Sequence, residues 1–88
     1  MYTVLLVDDD QCILHLCTAV LATTQRLDIL QASNVVEAMD AASKHDGTIE
    51  LLLSDIMMPG GISGVKLAEC LTVSRPEIKL LLMSGNSP

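Results

Sequence analysis

The stretch 51-LLLSDIMMPGGISG-64 carries the strongest indication of the fold. Its leucines form a continuous apolar run rather than an alternating one, which is typical of a strand covered on both faces of a sheet. We predict this strand over residues 49–54. Asp55 then lies directly after the strand, at the start of a loop rich in Gly. A single carboxylate at the end of a buried strand indicates a site at that edge of the sheet.

The rest of the chain alternates between strand and helix patterns. Three further apolar runs, at residues 2–7, 27–31 and 78–83, are predicted strands. Between the strands, apolar residues recur at the spacing of one helix face. Helices of this length between strands imply a parallel sheet with right-handed connections. We predict one α/β domain over residues 1–88, built on a doubly wound parallel sheet. The three predicted helix faces consist of Ile13, Leu16, Cys17, Val20 and Leu21; of Val35, Ala38, Met39 and Ala42; and of Gly64, Leu67, Ala68 and Leu71.

Composition excludes several classes of function. The net charge is −6 with only five basic residues, which argues against electrostatic binding of nucleic acid or of an anionic membrane. No apolar run approaches the ~20 residues of a membrane span. The three cysteines, Cys12, Cys17 and Cys70, are odd in number and form no C-x-x-C motif. We interpret them as reduced core thiols of a cytoplasmic protein.

Acidic residues follow two strands of the predicted sheet. Asp8, Asp9 and Asp10 follow the first strand, Asp55 follows the third, and Ser84 follows the fourth. If the strand order is 2-1-3-4, the first and third strands are neighbours, and their carboxylates then face each other at the ligand-binding edge. At ~4 Å and an effective dielectric of ~20, two carboxylates repel by roughly 4 kcal/mol, which a bound cation relieves. Oxygen ligands favour Mg²⁺, and a carboxylate beside it can attack phosphorus. Asp10 is the predicted N-cap of the first helix.

Taken in order, these motifs resemble the receiver domain of two-component response regulators. The loop 59-PGGISG-64 is one residue longer than the commonest form of the family motif. In this it is similar to the receiver domains that are often attached to hybrid histidine kinases. The resemblance implies a flavodoxin-like fold with strand order 2-1-3-4. It also implies a signalling role in a phosphorelay, without enzyme activity beyond self-catalysed phosphotransfer and dephosphorylation. The matching features are Asp8–Asp9 after the first strand, Asp55 after the third, Met58-Pro59 in the next loop, Gly64 at the next helix, and Ser84-Gly85 after the fourth strand.

The resemblance also implies roles for individual residues. Asp55 is expected to be the phosphoacceptor. Asp9 is expected to bind Mg²⁺ directly and Asp8 mostly through water, with the backbone carbonyl of Met57 completing the protein ligands. Ser84 is expected to be the switch hydroxyl that turns toward the phosphoryl group. The phosphoryl donor is expected to be a phosphohistidine on a sensor histidine kinase or a phosphotransfer protein.

The 88 residues depart from the family pattern at their end. A complete receiver has a fifth strand and two further helices, and a lysine at the end of that strand contacts the phosphoryl group. None of these follows the fourth strand here. The segment 80-LLLM-83 is then expected to be an uncovered apolar edge, which favours pairing with another chain. We expect either a homodimer through that edge or a chain that is part of a longer protein.

Two other functions remain open at this point. A chain without the fifth-strand lysine could act as an interaction or dimerisation fragment that is not phosphorylated. Alternatively, 4-VLLVDDDQ-11 is similar to the nucleophile motif of haloacid-dehalogenase-like phosphatases, with Asp8 as nucleophile and Asp10 as acid/base. The segment 80-LLLMS-84 is similar to their second motif. The phosphatase interpretation leaves the loop after Asp55 unexplained.

Overall fold

The computed structural model describes residues 2–23, 27–56 and 64–83. Within these ranges, strands and helices alternate along the chain. In the part of the chain described, no helix has the length and apolar character needed to cross a membrane. The elements are β1 (Tyr2–Val7), α1 (Gln11–Leu21), β2 (Leu27–Ala32), α2 (Val35–Lys44), β3 (Leu51–Asp55), α3 (Gly64–Ser74) and β4 (Lys79–Met83).

The strands form one parallel sheet in the order β2-β1-β3-β4, which confirms the predicted topology. β1 and β3 are therefore central and adjacent, with Val4 beside Leu51 and Val7 beside Ser54. The predicted strand bounds hold to within two residues. The main difference is that Asp55 is the last residue of β3 rather than the first residue after it.

Helices α2 and α3 cover one face of this sheet and contact each other. Successive strand residues point to opposite faces, so Leu5 and Val7 join this core, whereas Val4 and Leu6 point to the other face. Right-handed crossovers that run in opposite directions along the sheet put α1 on that second face. The first core contains Leu5, Val7, Ala32, Ala38, Ala42, Ile49, Leu52, Leu67, Ala68, Leu71 and Ile78.

The predicted apolar face of α1 was partly wrong. Leu16 and Val20 are exposed, and the buried residue of this helix is Leu14. The spacing of Leu16 and Val20 fits a helix face, but the helix is turned so that a neighbouring row of side chains meets the sheet. The prediction of core thiols also fails for Cys12 and Cys70, which are exposed, although all the cysteines are free.

Side chains fix where two of the helices begin. Asp10 is the N-cap of α1, as predicted, and its carboxylate accepts a hydrogen bond from the Cys12 N–H at 2.9 Å. Asn34 caps α2 by accepting from the Glu37 N–H at 2.8 Å. The Glu37 carboxylate turns back to the N–H and hydroxyl of Ser33, and these hydrogen bonds lower its pKa. With these caps, α1 and α2 begin four and three residues after the last residue of the preceding strand.

Candidate functional site

The carboxyl ends of β1 and β3 bring together the acidic residues that are distant in sequence. Asp8, Asp9 and Asp55 each offer a carboxylate oxygen, and these oxygens lie within 4.8 Å of one another. Asp8 follows the last residue of β1, and Asp55 ends β3. The parallel pairing of these two strands is what places the carboxylates at one edge.

Backbone hydrogen bonds hold both strand ends in place. The Asp8 N–H donates to the Ala32 carbonyl at 3.1 Å, which extends the pairing of β1 with β2 past the last strand residue. On the other side, the Ile56 N–H donates to the Met83 carbonyl at 2.8 Å and extends the pairing of β3 with β4. The side chains of Asp8 and Asp55 therefore project from backbone that hydrogen bonds to neighbouring strands hold in place.

Asp8 is the most buried of the acidic residues, with 6% of its surface exposed, compared with 9% for Asp55. Burial raises the pKa of Asp8, because its charged form loses water. The hydrogen bond from the Asp10 N–H, at 2.9 Å, acts in the opposite direction. The negative charges of Asp55, Asp9 and Asp10 raise the pKa further. A buried carboxylate among like charges is a place where a cation binds well.

The donor set fits Mg²⁺. All three groups offer oxygen, which is the ligand atom that this hard cation prefers. Two oxygens bound to the same Mg²⁺ at about 2.1 Å lie at most about 4.2 Å apart. The carboxylate oxygens lie within 4.8 Å of one another, slightly beyond that limit, so Asp8, Asp9 and Asp55 would hold the ion with one of them acting through water. The chemistry of the site matches the cofactor that the sequence suggested.

Two of the predicted site residues lie outside the described ranges. These are Met57, whose carbonyl is a predicted Mg²⁺ ligand, and Ser84, the predicted switch hydroxyl. Asp10, by contrast, is fully described. Its side chain is engaged as the helix cap, and its backbone N–H supports Asp8. This use of Asp10 disfavours the acid/base role that the phosphatase interpretation assigns to it.

The structure also reveals a polar group beside Asp55, the Ser54 hydroxyl, that was not predicted from the sequence. The hydroxyl of Ser54 is fully buried and donates to the Asp55 carbonyl oxygen at 3.0 Å. The first residue of α3, Gly64, donates its N–H to the Ile56 carbonyl at 2.8 Å. A polar residue inside an otherwise apolar buried strand was the available signal for Ser54.

Gly64 has no room for a side chain. A Cβ at this position would lie closer to the Asp55 carbonyl oxygen than the 3.0 Å below which real Cβ contacts essentially do not occur. The start of α3 therefore packs directly on the backbone of Asp55. Gly64 is in the motif that the sequence singled out, and its close approach to Asp55 gives the physical reason for glycine there.

Comparisons with known proteins agree with this geometry. The sequence model of the family described as the response regulator receiver domain matches residues 4–88. The response regulator TrrA from Thermotoga maritima, solved in complex with Mg²⁺-BeF, is 31% identical, with a TM-score of 0.83 over 99% of this chain and 72% of that chain. TrrA in complex with the histidine kinase ThkA matches with a TM-score of 0.80 at 31% identity, over 100% of this chain and 72% of that one.

The fold also recurs at lower sequence identity. A receiver domain protein from Clostridium thermocellum is 20% identical, with a TM-score of 0.85 over 96% of this chain. The chain spans 65% of that protein's length, and 58% and 59% of two further similar structures. The 88 residues therefore correspond to about three fifths to two thirds of these solved chains.

Proposed function

The chain belongs to the response regulator receiver domain family, and from its carboxylate geometry we propose that it is a phosphoacceptor module that takes a phosphoryl group onto Asp55 with Mg²⁺. The observation that carries this proposal is the meeting of Asp8, Asp9 and Asp55 within 4.8 Å at the carboxyl ends of two adjacent strands. The TrrA structure with Mg²⁺-BeF supports it, because that relative binds the metal together with beryllium fluoride.

The residues of the chain divide the chemistry between them. A carboxylate oxygen of Asp55 forms the new bond to phosphorus, while the bond from phosphorus to the donor nitrogen breaks and its electron pair returns to the imidazole. Asp8 and Asp9 would hold Mg²⁺ beside this oxygen. When bound, the ion supplies positive charge that neutralises the carboxylates and the transferring phosphoryl group. Met57, through its carbonyl, and Ser84 keep the roles that the family resemblance implies, as part of this proposal.

The partner in this proposal is a histidine kinase or a phosphotransfer protein that carries a phosphohistidine. The TrrA–ThkA complex supports this choice, because it joins a similar domain to a histidine kinase. The proposal includes a cytoplasmic location, which agrees with the free thiols of Cys12, Cys17 and Cys70. It also treats the domain as a substrate of phosphotransfer rather than as an enzyme with multiple turnovers.

Acetyl phosphate with Mg²⁺ tests the phosphoacceptor role. We expect the intact mass of the protein to rise by one phosphoryl group, and we expect Asp55→Asn to abolish the adduct. The matched control is Asp10→Asn, which retains a good helix cap and lies outside the proposed acceptor position. Multiple turnovers that depend on Asp8 rather than Asp55 would support the phosphatase instead. Mg²⁺ binding without any beryllofluoride binding or adduct contradicts the phosphoacceptor role for these 88 residues.

A second candidate function is self-association through β4. Leu80 and Leu81 are 44% and 53% exposed, and the outer edge of β4 has no strand partner among the described residues. An apolar groove of about 410 Å³ lies between this strand and α3. Unpaired N–H and C=O groups beside exposed leucines favour pairing with a second copy of the chain. Light scattering across a concentration series measures this directly, and a monomer at every concentration excludes it.

A further inference from the structure

Ser54 is a buried hydroxyl for which the proposed phosphotransfer has no use. It lies between Leu53 and Asp55 near the carboxyl end of the central strand β3, and it is fully buried. A hydroxyl taken out of water without a partner is costly, so its hydrogen bond to the Asp55 carbonyl oxygen at 3.0 Å accounts for how it is tolerated. The acceptor belongs to the backbone of the proposed phosphoacceptor itself.

This hydrogen bond holds one side of the peptide group that joins Asp55 to Ile56. The other side is held by the Ile56 N–H, which donates to the Met83 carbonyl at 2.8 Å. A peptide group is planar, so two hydrogen bonds on its opposite sides fix its rotation. The orientation of this peptide group depends on ψ of Asp55 together with φ of Ile56, and it sets the direction in which the chain leaves the strand.

Gly64, the first residue of α3, packs against the same part of the backbone. Its N–H donates to the Ile56 carbonyl at 2.8 Å, which is the next carbonyl after that of Asp55. A Cβ at Gly64 would lie 3.0 Å from the Ser54 Oγ and would collide with the Asp55 carbonyl oxygen. Ser54, Asp55 and Gly64 are therefore packed too closely for an independent shift of any one of them.

We propose that Ser54 is a positioning residue for Asp55: its buried hydroxyl fixes the Asp55–Ile56 peptide group and thereby aims the Asp55 carboxylate at Asp8 and Asp9. This inference rests on the proposed function insofar as the carboxylates act together on a metal. The Ser54 hydroxyl is engaged by the Asp55 carbonyl oxygen, so its role in this proposal is to support the backbone rather than to hold the metal. It acts on the backbone that carries a ligand, as groups behind a metal ligand commonly do.

Replacing Ser54 with alanine removes one oxygen atom and leaves the Asp55 carbonyl without this donor. The peptide group then loses the hydrogen bond on its carbonyl side that Ser54 supplies, and it gains freedom to rotate. Loss of a group that supports a metal ligand typically weakens metal affinity by about tenfold or more. We therefore expect Ser54→Ala to raise the Mg²⁺ dissociation constant by about tenfold, whereas Ser54→Thr, which keeps the hydroxyl, stays close to the wild type.

The control variant must lower the stability of the fold and leave the hydrogen bond between the Ser54 hydroxyl and the Asp55 carbonyl intact. Leu52→Val serves, because Leu52 precedes Ser54 by two positions on the same strand face and is fully buried. We expect Leu52→Val to lower the stability of the fold while its Mg²⁺ affinity, measured by calorimetry at a temperature where it is fully folded, remains that of the wild type. An equal loss of affinity in Leu52→Val and Ser54→Ala would show that Ser54 matters only for stability.

A second measurement decides the structural claim without any metal. Amide hydrogen exchange on the metal-free protein reports the hydrogen bonds of the Ile56 and Gly64 N–H groups. We expect both amides to lose protection in Ser54→Ala and to keep it in Ser54→Thr; should Thr fail to fit, Ser54→Cys keeps a weaker donor of similar size. Unchanged protection in Ser54→Ala overturns the inference. Absence of Mg²⁺ binding in the wild type refutes the proposed function, and the exchange measurement still decides the role of Ser54.

Discussion

Strands β3 and β4 are adjacent, parallel and similar in sequence, yet they differ in burial and in the number of strands beside them. Their residues pair in register as 51-LLLSD-55 with 79-KLLLM-83. Leu52 is fully buried, whereas its partner Leu80 is 44% exposed. β3 has a strand on each side, whereas β4 has one only on the side of β3 among the described strands. Position in the sheet, rather than the apolar side chains, decides which strand is core.

The same difference holds at the carboxyl ends of these strands. β3 ends in Asp55, which meets Asp8 and Asp9 because β1 is its neighbour. β4 ends in Met83, the register partner of Asp55, and it contributes a backbone carbonyl to the Ile56 N–H. The central strand thus supplies a carboxylate of the acidic cluster, and the outer strand supplies a backbone hydrogen bond that supports it.

The largest expected effect comes from truncating the register partners Leu52 and Leu80. Leu52→Ala leaves a cavity in a closely packed core and is expected to lower the free energy of unfolding by about 2–5 kcal/mol. Leu80→Ala removes a half-exposed side chain and is expected to cost about 1 kcal/mol or less. Urea denaturation followed by circular dichroism measures both. Equal losses at the two positions would mean that β4 is as well covered as β3.

Next in size is the stabilisation by Mg²⁺ at the end of β3. With Mg²⁺ at 100 times its dissociation constant, the free energy of unfolding is expected to rise by about 2.7 kcal/mol. Asp8→Asn is expected to remove most of this gain, because it takes away one of the clustered carboxylates. Met83→Leu at the end of β4 is the control and is expected to retain the gain. Thermal unfolding with and without Mg²⁺ gives the comparison, which fails if Met83→Leu loses as much as Asp8→Asn.

A smaller effect follows from the raised pKa of Asp8. Its ordinary value is 3.8, and burial together with the neighbouring charges raises it in the folded protein. The folded state therefore binds more protons than the unfolded state above that value, so the contribution of Asp8 to stability falls as pH rises from the ordinary pKa through the folded pKa. Asp8→Asn is expected to remove this dependence and to stabilise the metal-free protein at neutral pH.

The measurement is denaturant unfolding of the metal-free wild type and Asp8→Asn between about pH 4 and pH 7. The difference between the two proteins isolates Asp8 from the other carboxylates. Mg²⁺ competes with the proton, so its affinity for the wild type is expected to rise over the same window. A wild type that gains stability relative to Asp8→Asn as pH rises would contradict the sign of this shift.

The smallest effect on stability is expected at the outer strand. Leu81 is 53% exposed, so Leu81→Lys is expected to change the free energy of unfolding of a monomer by only about 0.5 kcal/mol. If two copies associate through β4, the same substitution weakens the association, because like charges then meet at the edge. Analytical ultracentrifugation measures the association, and urea denaturation measures the free energy of unfolding. Association that survives Leu81→Lys unchanged would indicate contact through another surface.

Much of this molecule follows from the sequence alone. Continuous apolar runs separated by helical spacing are enough to predict a parallel sheet, and the family resemblance adds the strand order that the structure has. The position of acidic residues at the ends of two runs predicts that Asp8, Asp9 and Asp55 meet, because the carboxyl ends of parallel strands lie at one edge. Asp10 as a helix cap also follows from local chemistry.

Other properties depend on the tertiary structure. The spacing in α1 allowed Leu16 to face the sheet, but the docking of the helix buried Leu14 instead, because two adjacent apolar rows compete for one contact surface. The roles of Ser54 and Gly64 depend on which backbone atoms approach one another when α3 packs on the end of β3. Local sequence determines the elements and the residues at their ends, whereas contacts between elements determine which side chains are buried and which carbonyl a hydroxyl reaches.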